Sequence, residues 1–242
     1  LSVLPTDIPS TVISIDLSHN SLTKIESSAF SVFSDLEKMD LSHNIIATFQ
    51  DTALHTVGST LKWLYASNNR IANINDVPLR MLRHLVYLSL NDNSISYLTP
   101  DAFTSFSSTL ETLELDSNRL TQIPSGIFSG MRSLKTLRLS NNNLTSIPDF
   151  VNLPVPNSLC DLFLENNKIN SSQSSLSRLT SLEKLVLYGN QLITIPSFSN
   201  AQGNLQELYL QQNKITGIVE ADFDKLSLKK LHLGNNRITS LT

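Results

Sequence analysis

Ten asparagines recur along this chain at almost constant spacing, and that spacing constrains the fold more than any other feature. They are Asn20, Asn44, Asn69, Asn93, Asn118, Asn142, Asn167, Asn190, Asn213 and Asn236, with gaps of 24, 25, 24, 25, 24, 25, 23, 23 and 23 residues. Each closes the same string, LxxLxLxxNxL, as in Leu110-Glu-Thr-Leu113-Glu-Leu115-Asp-Ser-Asn118-Arg-Leu120. A fixed period in this range is the signature of a solenoid, in which each repeat is a unit that buries its apolar face only against its neighbours.

Counting each repeat from its first apolar residue, positions 1, 4, 6 and 11 are Leu, Ile or Val almost throughout. Apolar residues at 4 and 6, with polar ones at 5 and 7, give the period-2 alternation of a half-buried strand. At position 9 the chain must turn inward. A bare backbone turn there would bury unpaired N–H and C=O groups at roughly 1–3 kcal/mol each. Asparagine carries both a donor and an acceptor, so stacked copies predict a ladder of amides bonded to the coil next door. These ten residues are therefore read as structure and not as contacts to a partner. A second apolar set falls at position 14 (Ile25, Phe49, Ile74, Leu98 and on), position 19 (Phe30, Phe103, Phe128, Phe223) and position 22 (Phe33, Phe106, Met131, Leu226). It is expected to fill the convex side. The stretch 147–200 lacks the position-19 phenylalanine, offers Phe150 and Phe198 two places earlier, and puts Ser172 at position 14. Its convex side should be the least regular.

Composition removes several classes of function. With 40% hydrophobic residues the chain is globular. An unbroken repeat overrides the two-domain expectation that 242 residues would otherwise carry, so residues 1–242 read as a single repeat domain of about ten repeats. No apolar run approaches the roughly 18 residues of a membrane span. A net charge of −3 gives no basic stripe, which argues against nucleic acid or an anionic membrane as a partner, and the lack of a long apolar run argues against membrane insertion within this chain. One cysteine, Cys160, excludes an internal disulfide and a cysteine-rich zinc site. No base adjoins it in sequence, so it reads as a bland residue at position 2. Both ends look cut, because solenoids need caps over their terminal core and neither end supplies one.

The repeat string resembles the leucine-rich repeat. A period near 24 with phenylalanine at position 19, and the strings Leu120-Thr-Gln-Ile-Pro124 and Leu144-Thr-Ser-Ile-Pro148, are similar to the "typical" extracellular class. The opening Leu1-Ser-Val-Leu-Pro5-Thr-Asp-Ile-Pro9 is similar to the segment after the cysteine-rich cap in Toll-like receptors, variable lymphocyte receptors and small leucine-rich proteoglycans. The entry strings Gly58-Ser-Thr-Leu61 and Ser108-Thr-Leu110 resemble those of chaoptin-like adhesion proteins. The resemblance implies an α/β-type solenoid: a right-handed horseshoe with a parallel sheet on the concave face and irregular or short 3-10 segments outside. It also implies a non-enzymatic recognition or adhesion module, secreted or part of an ectodomain. The alternatives are an innate-immune pattern receptor for microbial glycan or lipid, and a self-associating matrix protein; a homodimer stays open. Two sequons, at Asn143 and Asn170, would permit N-glycosylation.

Positions 2, 3, 5, 7 and 8 should form the exposed grid of the concave sheet. Repeats three and four place Trp63, Tyr65 and Tyr87 there, and repeats seven to nine place Phe163, Val186, Tyr188 and Tyr209. Glu111, Glu114, Asp116, Lys135 and Arg138 lie between them. Of the five tyrosines only Tyr97 is off this grid. Tyrosine, tryptophan and arginine are enriched at binding hot spots. The competing explanation is cross-strand aromatic packing. The candidate partner-binding set is therefore Trp63, Tyr65, Tyr87, Glu114, Arg138, Phe163, Tyr188 and Tyr209, for a protein or glycoprotein ligand. Asn91, Asp92 and Gln211 would serve a sugar.

Asp16-Leu-Ser18-His19-Asn20 recurs as Asp40-Leu-Ser42-His43-Asn44, which brings Asp, Ser and His together and stacks two histidines. Asp and Ser at positions 5 and 7 point the same way from one flat strand, with no oxyanion pocket nearby. Two histidines make an incomplete zinc site. No catalytic residue, metal or cofactor is assigned.

Overall fold

The computed structural model describes residues 8–170, 176–198, 203–224 and 226–241. Its centre is one ten-stranded parallel sheet in strict chain order. The strands are Ser14–Asp16, Lys38–Asp40, Trp63–Tyr65, Tyr87–Ser89, Thr112–Glu114, Thr136–Arg138, Asp161–Phe163, Lys184–Val186, Glu207–Tyr209 and Lys230–His232. They define coils 1 to 10, and each covers positions 3 to 5 of its repeat. Register is uniform: Trp63 pairs with Tyr87, Leu64 with Leu88 and Tyr65 with Ser89, and the same positions match down the sheet. One and three residues past the strand's end the backbone still bonds from coil to coil, as in Leu41 N–H to Tyr65 O and His43 N–H to Ser67 O. The short strand is therefore the middle of a longer ladder.

Apolar alternation decides which face is buried. Leu64, Leu88, Leu113, Leu137 and Leu162 at position 4 are all at most 1% exposed, and the position-6 and position-11 residues join them in one continuous core. The outer wall is filled by phenylalanine: Phe30, Phe33, Phe103, Phe106 and Phe128 are buried. Outside that wall the chain makes turns and short 3-10 segments such as Ile74–Asp76, Leu79–Met81 and Thr104–Phe106. The fold is a leucine-rich-repeat type solenoid with almost no helix. In the stretch 147–200 Phe150 substitutes for the missing position-19 ring: it is fully buried and stacks on Phe128 at 5.1 Å. Phe198 packs part-buried against the same core. Ser172 lies outside the described residues.

Gly58 explains one of the longer repeats. A Cβ at this position would run into the carbonyl oxygen of Met81 in the following coil. The Thr60 hydroxyl two residues on donates to Leu36 O at 2.8 Å, and the matching Thr109 hydroxyl donates to Leu85 O at 2.8 Å. In the longer repeats a hydroxyl just before position 1 thus ties each coil to the one before.

Candidate recognition surface

The asparagines hold this surface in place. In coil 5 the Asn118 amide donates to Leu90 O at 2.9 Å in the preceding coil, and to Leu115 O and Asp116 O at 3.2 Å in its own. Its carbonyl oxygen accepts from Ile95 N–H at 2.9 Å. The same pattern recurs at Asn44, Asn69, Asn93, Asn142, Asn167, Asn190 and Asn213. Asn236 bonds to Leu210 O and Leu233 O and accepts from Ile215 N–H. Asn20 is exposed and bonds to Leu17 O and Ser18 O within its own coil. One backbone requirement was missed in the sequence. The residue before each asparagine is left-handed, with φ between 53° and 58° at nine non-glycine positions and 68° at Gly189. Apart from Ser117 and Gln212 these residues are Asn, Asp, His or Gly, the types that tolerate this conformation best. That composition at position 8 was the available signal.

On the open face the aromatic residues form two groups. Trp63, Tyr65 and Tyr87 are half-buried on adjacent strands, and the rings of Tyr65 and Tyr87 lie 4.8 Å apart. Lys38 Nζ sits 5.3 Å from the Tyr65 ring and Lys62 Nζ 6.0 Å from the Trp63 ring. Ile13, Ser14, Glu37, Lys38, Trp63 and Tyr65 line a shallow depression of about 360 Å³. The second group runs across coils 6 to 10. The Arg138 guanidinium covers Phe163 at 4.4 Å, Lys184 Nζ lies 5.5 Å from both Phe163 and Tyr209, and Tyr209 stacks on His232 at 4.8 Å. Tyr188 is half-buried at position 7 of coil 8. Trp63, Tyr65, Tyr87, Glu114, Arg138, Phe163, Tyr188 and Tyr209 thus share one face but divide into two aromatic groups around a charged centre.

Two grid residues are not exposed. Val186 is 5% accessible and sits in register between the larger Phe163 and Tyr209. Asp116 is 8% accessible. Its carboxylate accepts from Arg138 Nε and from Ser140 N–H, both at 2.7 Å, while its own N–H donates to Asn91 Oδ1 at 2.7 Å. Burial pushes the Asp116 carboxyl up, against the pull of Arg138. Burial also raises Glu165 and, with help from Glu114, the Tyr87 phenol. Arg138 is itself disfavoured by burial, but Asp116, Glu114 and Glu165 outweigh that and raise it.

The model of the Leucine rich repeat family matches residues 10–58, 59–109, 108–155 and 196–238, well over half of the chain. This chain belongs to the leucine-rich repeat family. Leucine-rich repeat-containing protein 3 from Danio rerio is 35% identical over 74 residues, covering 31% of this chain and 28% of that protein. A chain from the octameric complex of Latrophilin 3, Unc5D and FLRT2 superposes with a TM-score of 0.74 at 27% identity, over 89% of this chain and 65% of that one. The APL1 leucine-rich repeat domain gives a TM-score of 0.76 at 21% identity, covering 96% of this chain and 64% of that chain. The TLR13–ssRNA13 complex gives 0.71 at 23% identity, covering 96% of this chain and 41% of that one. This leucine-rich repeat chain therefore spans less than two-thirds of each of these relatives. Proteins of the family are generally non-enzymatic binding modules.

His19 and His43 stack with ring centroids 4.2 Å apart and planes 8° from parallel. The nitrogen lone pairs of parallel rings lie in separate planes and do not converge on one ion. Among the described residues no group of three His, Cys, Asp or Glu side chains is placed to hold a metal. Asp16 Oδ1 accepts from Ser18 N–H at 2.9 Å, and Asp40 does the same for Ser42, so both carboxylates cap their own turn. Cys160 is half-buried and its thiol is raised, first by burial and then by Glu183 and Asp161, the reverse of an activated nucleophile. Asn143 is half-buried with its N–H bonded to Leu120 O. Asn170 is exposed, and the rest of its sequon lies outside the described residues. Among the described residues no helix is long and apolar enough to cross a membrane.

Proposed function

We propose that this leucine-rich repeat chain is an extracellular recognition or adhesion module, secreted or part of an ectodomain, that captures a protein or glycoprotein on its open sheet face. The observation that carries the reading is the Trp63–Tyr65–Tyr87 cluster. Three large aromatic side chains sit half-exposed on adjacent strands in fixed register, beside a depression and two lysines. Rigid aromatic groups of this kind bury large area at low entropic cost and dominate interface energies. A relative of known structure is part of an octameric protein complex, which supports protein as the partner class.

The charge balance points the same way. Eleven of the 21 carboxylates, but only seven of the 18 Lys and Arg residues, fall on positions 2, 3, 5, 7 and 8. A face with excess negative charge repels a polyanion such as nucleic acid. A glycan ligand is less favoured. Asn91 has both amide atoms engaged, by Glu114 and by Asp116 N–H.

The test is a screen of the chain against a panel of cell-surface ectodomains, with W63A/Y65A/Y87A run in parallel. Binding lost in the variant, with its melting temperature within a few degrees of wild type, supports the reading. Partners bound equally by both proteins would place the site on another face.

A further inference from the structure

We propose that the centre of the sheet, where Glu114, Asp116 and Glu165 surround Arg138, receives a basic side chain, arginine or lysine, from the partner protein. The inference rests on the reading of the open sheet as the recognition face and names what that face selects. Positions 5 and 7 together carry five carboxylates (Asp16, Asp40, Glu114, Asp116, Glu165) and a single Lys or Arg, which is Arg138. Three of the five gather around that one cation across coils 5 to 7. Three negative charges and one positive leave the group at −2.

Arg138 cannot balance it. Its Nε is taken by Asp116 at 2.7 Å, and its flat face lies on Phe163 at 4.4 Å. Glu114 accepts from Asn91 Nδ2 at 2.9 Å, a neutral donor. The neighbouring coils offer no relief: Lys62 and Lys135 are committed to Glu37 and Glu111, and Lys184 and Lys230 to Glu207.

A second observation is independent of the charge count. The Ser140 side chain is 1% exposed, and its hydroxyl has no hydrogen-bond partner. It lies near enough to Asp116 and Glu165 to favour the charged form of each, yet forms no well-directed hydrogen bond with either. Glu165 Oε2 is also buried without a partner. Buried polar atoms are almost always paired in a finished site. A hydroxyl and a carboxylate oxygen left open side by side, in a group short of positive charge, are what an incoming N–H donor would complete. Such a donor brings the missing charge and up to five N–H groups if it is a guanidinium. The half-buried Tyr87 ring beside Glu114 offers an apolar wall for its methylene stem.

The probe is a fluorescent oligo-arginine peptide titrated into the full chain at low ionic strength and followed by anisotropy. Wild type should bind it saturably, E114Q/E165Q should bind it about ten-fold more weakly, and D16N/D40N, which removes two carboxylates from the same sheet, should match wild type. Melting curves confirm that each variant folds; if the double variant melts early, E165Q alone is scored. Absence of saturable binding, or equal weakening in both double variants, overturns the proposal. The two readings separate on a protein partner found in the ectodomain screen. If W63A/Y65A/Y87A abolishes capture while E114Q/E165Q leaves it intact, recognition on this face stands and the basic side-chain site falls.

Discussion

Replacing Asn118 by alanine tests the physics of the repeat most sharply, because its four hydrogen bonds are not equally costly to lose. Of its three acceptors, Leu90 O keeps a bond from Asn93 Nδ2, Leu115 O keeps one from Asn142 Nδ2, and Asp116 O keeps one from Asp92 N–H. The Ile95 N–H has no substitute for Asn118 Oδ1, and Ile95 is 0% exposed. One buried donor is orphaned, at about 1–3 kcal/mol, and three shared bonds weaken, so the total comes to roughly 2–4 kcal/mol. For a chain of this length that lowers the melting temperature by about 5–15 °C. Asn118→Asp sharpens the argument. It keeps the acceptor for Ile95 N–H but turns three amide contacts into a carboxylate facing carbonyl oxygens. The carboxyl would then be raised in the folded state above its unfolded value of about 3.9, so its penalty is absent below that pH and grows as pH rises. Urea denaturation followed by circular dichroism should therefore place N118D below N118A at neutral pH and narrow the gap under acid. Asn20→Ala, on an exposed asparagine with two bonds inside its own coil, should cost under about 1 kcal/mol. An N118A variant within about 0.5 kcal/mol of wild type, or an N118D variant indifferent to pH, would refute the account of the ladder.

Three further outcomes follow from the same structure. Gly58→Ala should destabilise the chain by more than about 2 kcal/mol, since the obstacle is backbone, while Gly234→Ala, which meets nothing within 4 Å, should be near neutral in the same thermal melts. Ser140→Ala should lower stability by under about 1 kcal/mol, because its hydroxyl favours the charged Asp116 and Glu165 without a well-directed bond to either; a loss above about 2 kcal/mol in calorimetry would show a full hydrogen bond. Alkylation of Cys160 at neutral pH should be several-fold slower in the folded chain than in urea, and equal rates would contradict a thiol raised by burial.

Most of the architecture was legible in the sequence because one chemical requirement repeats. Leucines at positions 4 and 6 carry the burial pattern in their spacing, and the asparagine at position 9 announces a turn whose backbone must be paired. The left-handed position 8 was not read, although His19, Asn68, Asp92 and Gly189 carry its composition, because a scan for apolar spacing passes over the polar residue between two conserved-looking landmarks. The hydroxyl bond from Thr60 to Leu36 O escaped for a similar reason: serine and threonine are so common here that one more says little. On the open face, sequence spacing placed the eight candidate residues on one side but could not rank them by accessibility. Val186 and Asp116 fall at positions equivalent to exposed ones, yet both are buried beside residues of the adjacent coils, which lie more than twenty residues away in sequence. The crowding of three carboxylates around Arg138 is likewise invisible along the chain, since Glu114 and Glu165 are separated by two coils.

A glycan wedge on the sheet tests the central claim most directly. The double substitution T112N/E114T would create an acceptor sequon in the middle strand of the open face, and Ser107→Asn would create one behind the 3-10 turn Thr104–Phe106 on the opposite side. Both proteins are expressed in glycosylating cells and measured against a partner from the ectodomain screen. The sheet wedge should abolish binding and the outer wedge should leave it unchanged. Retained binding with a glycan on the sheet, or loss with one on the outer wall, would contradict recognition by this face.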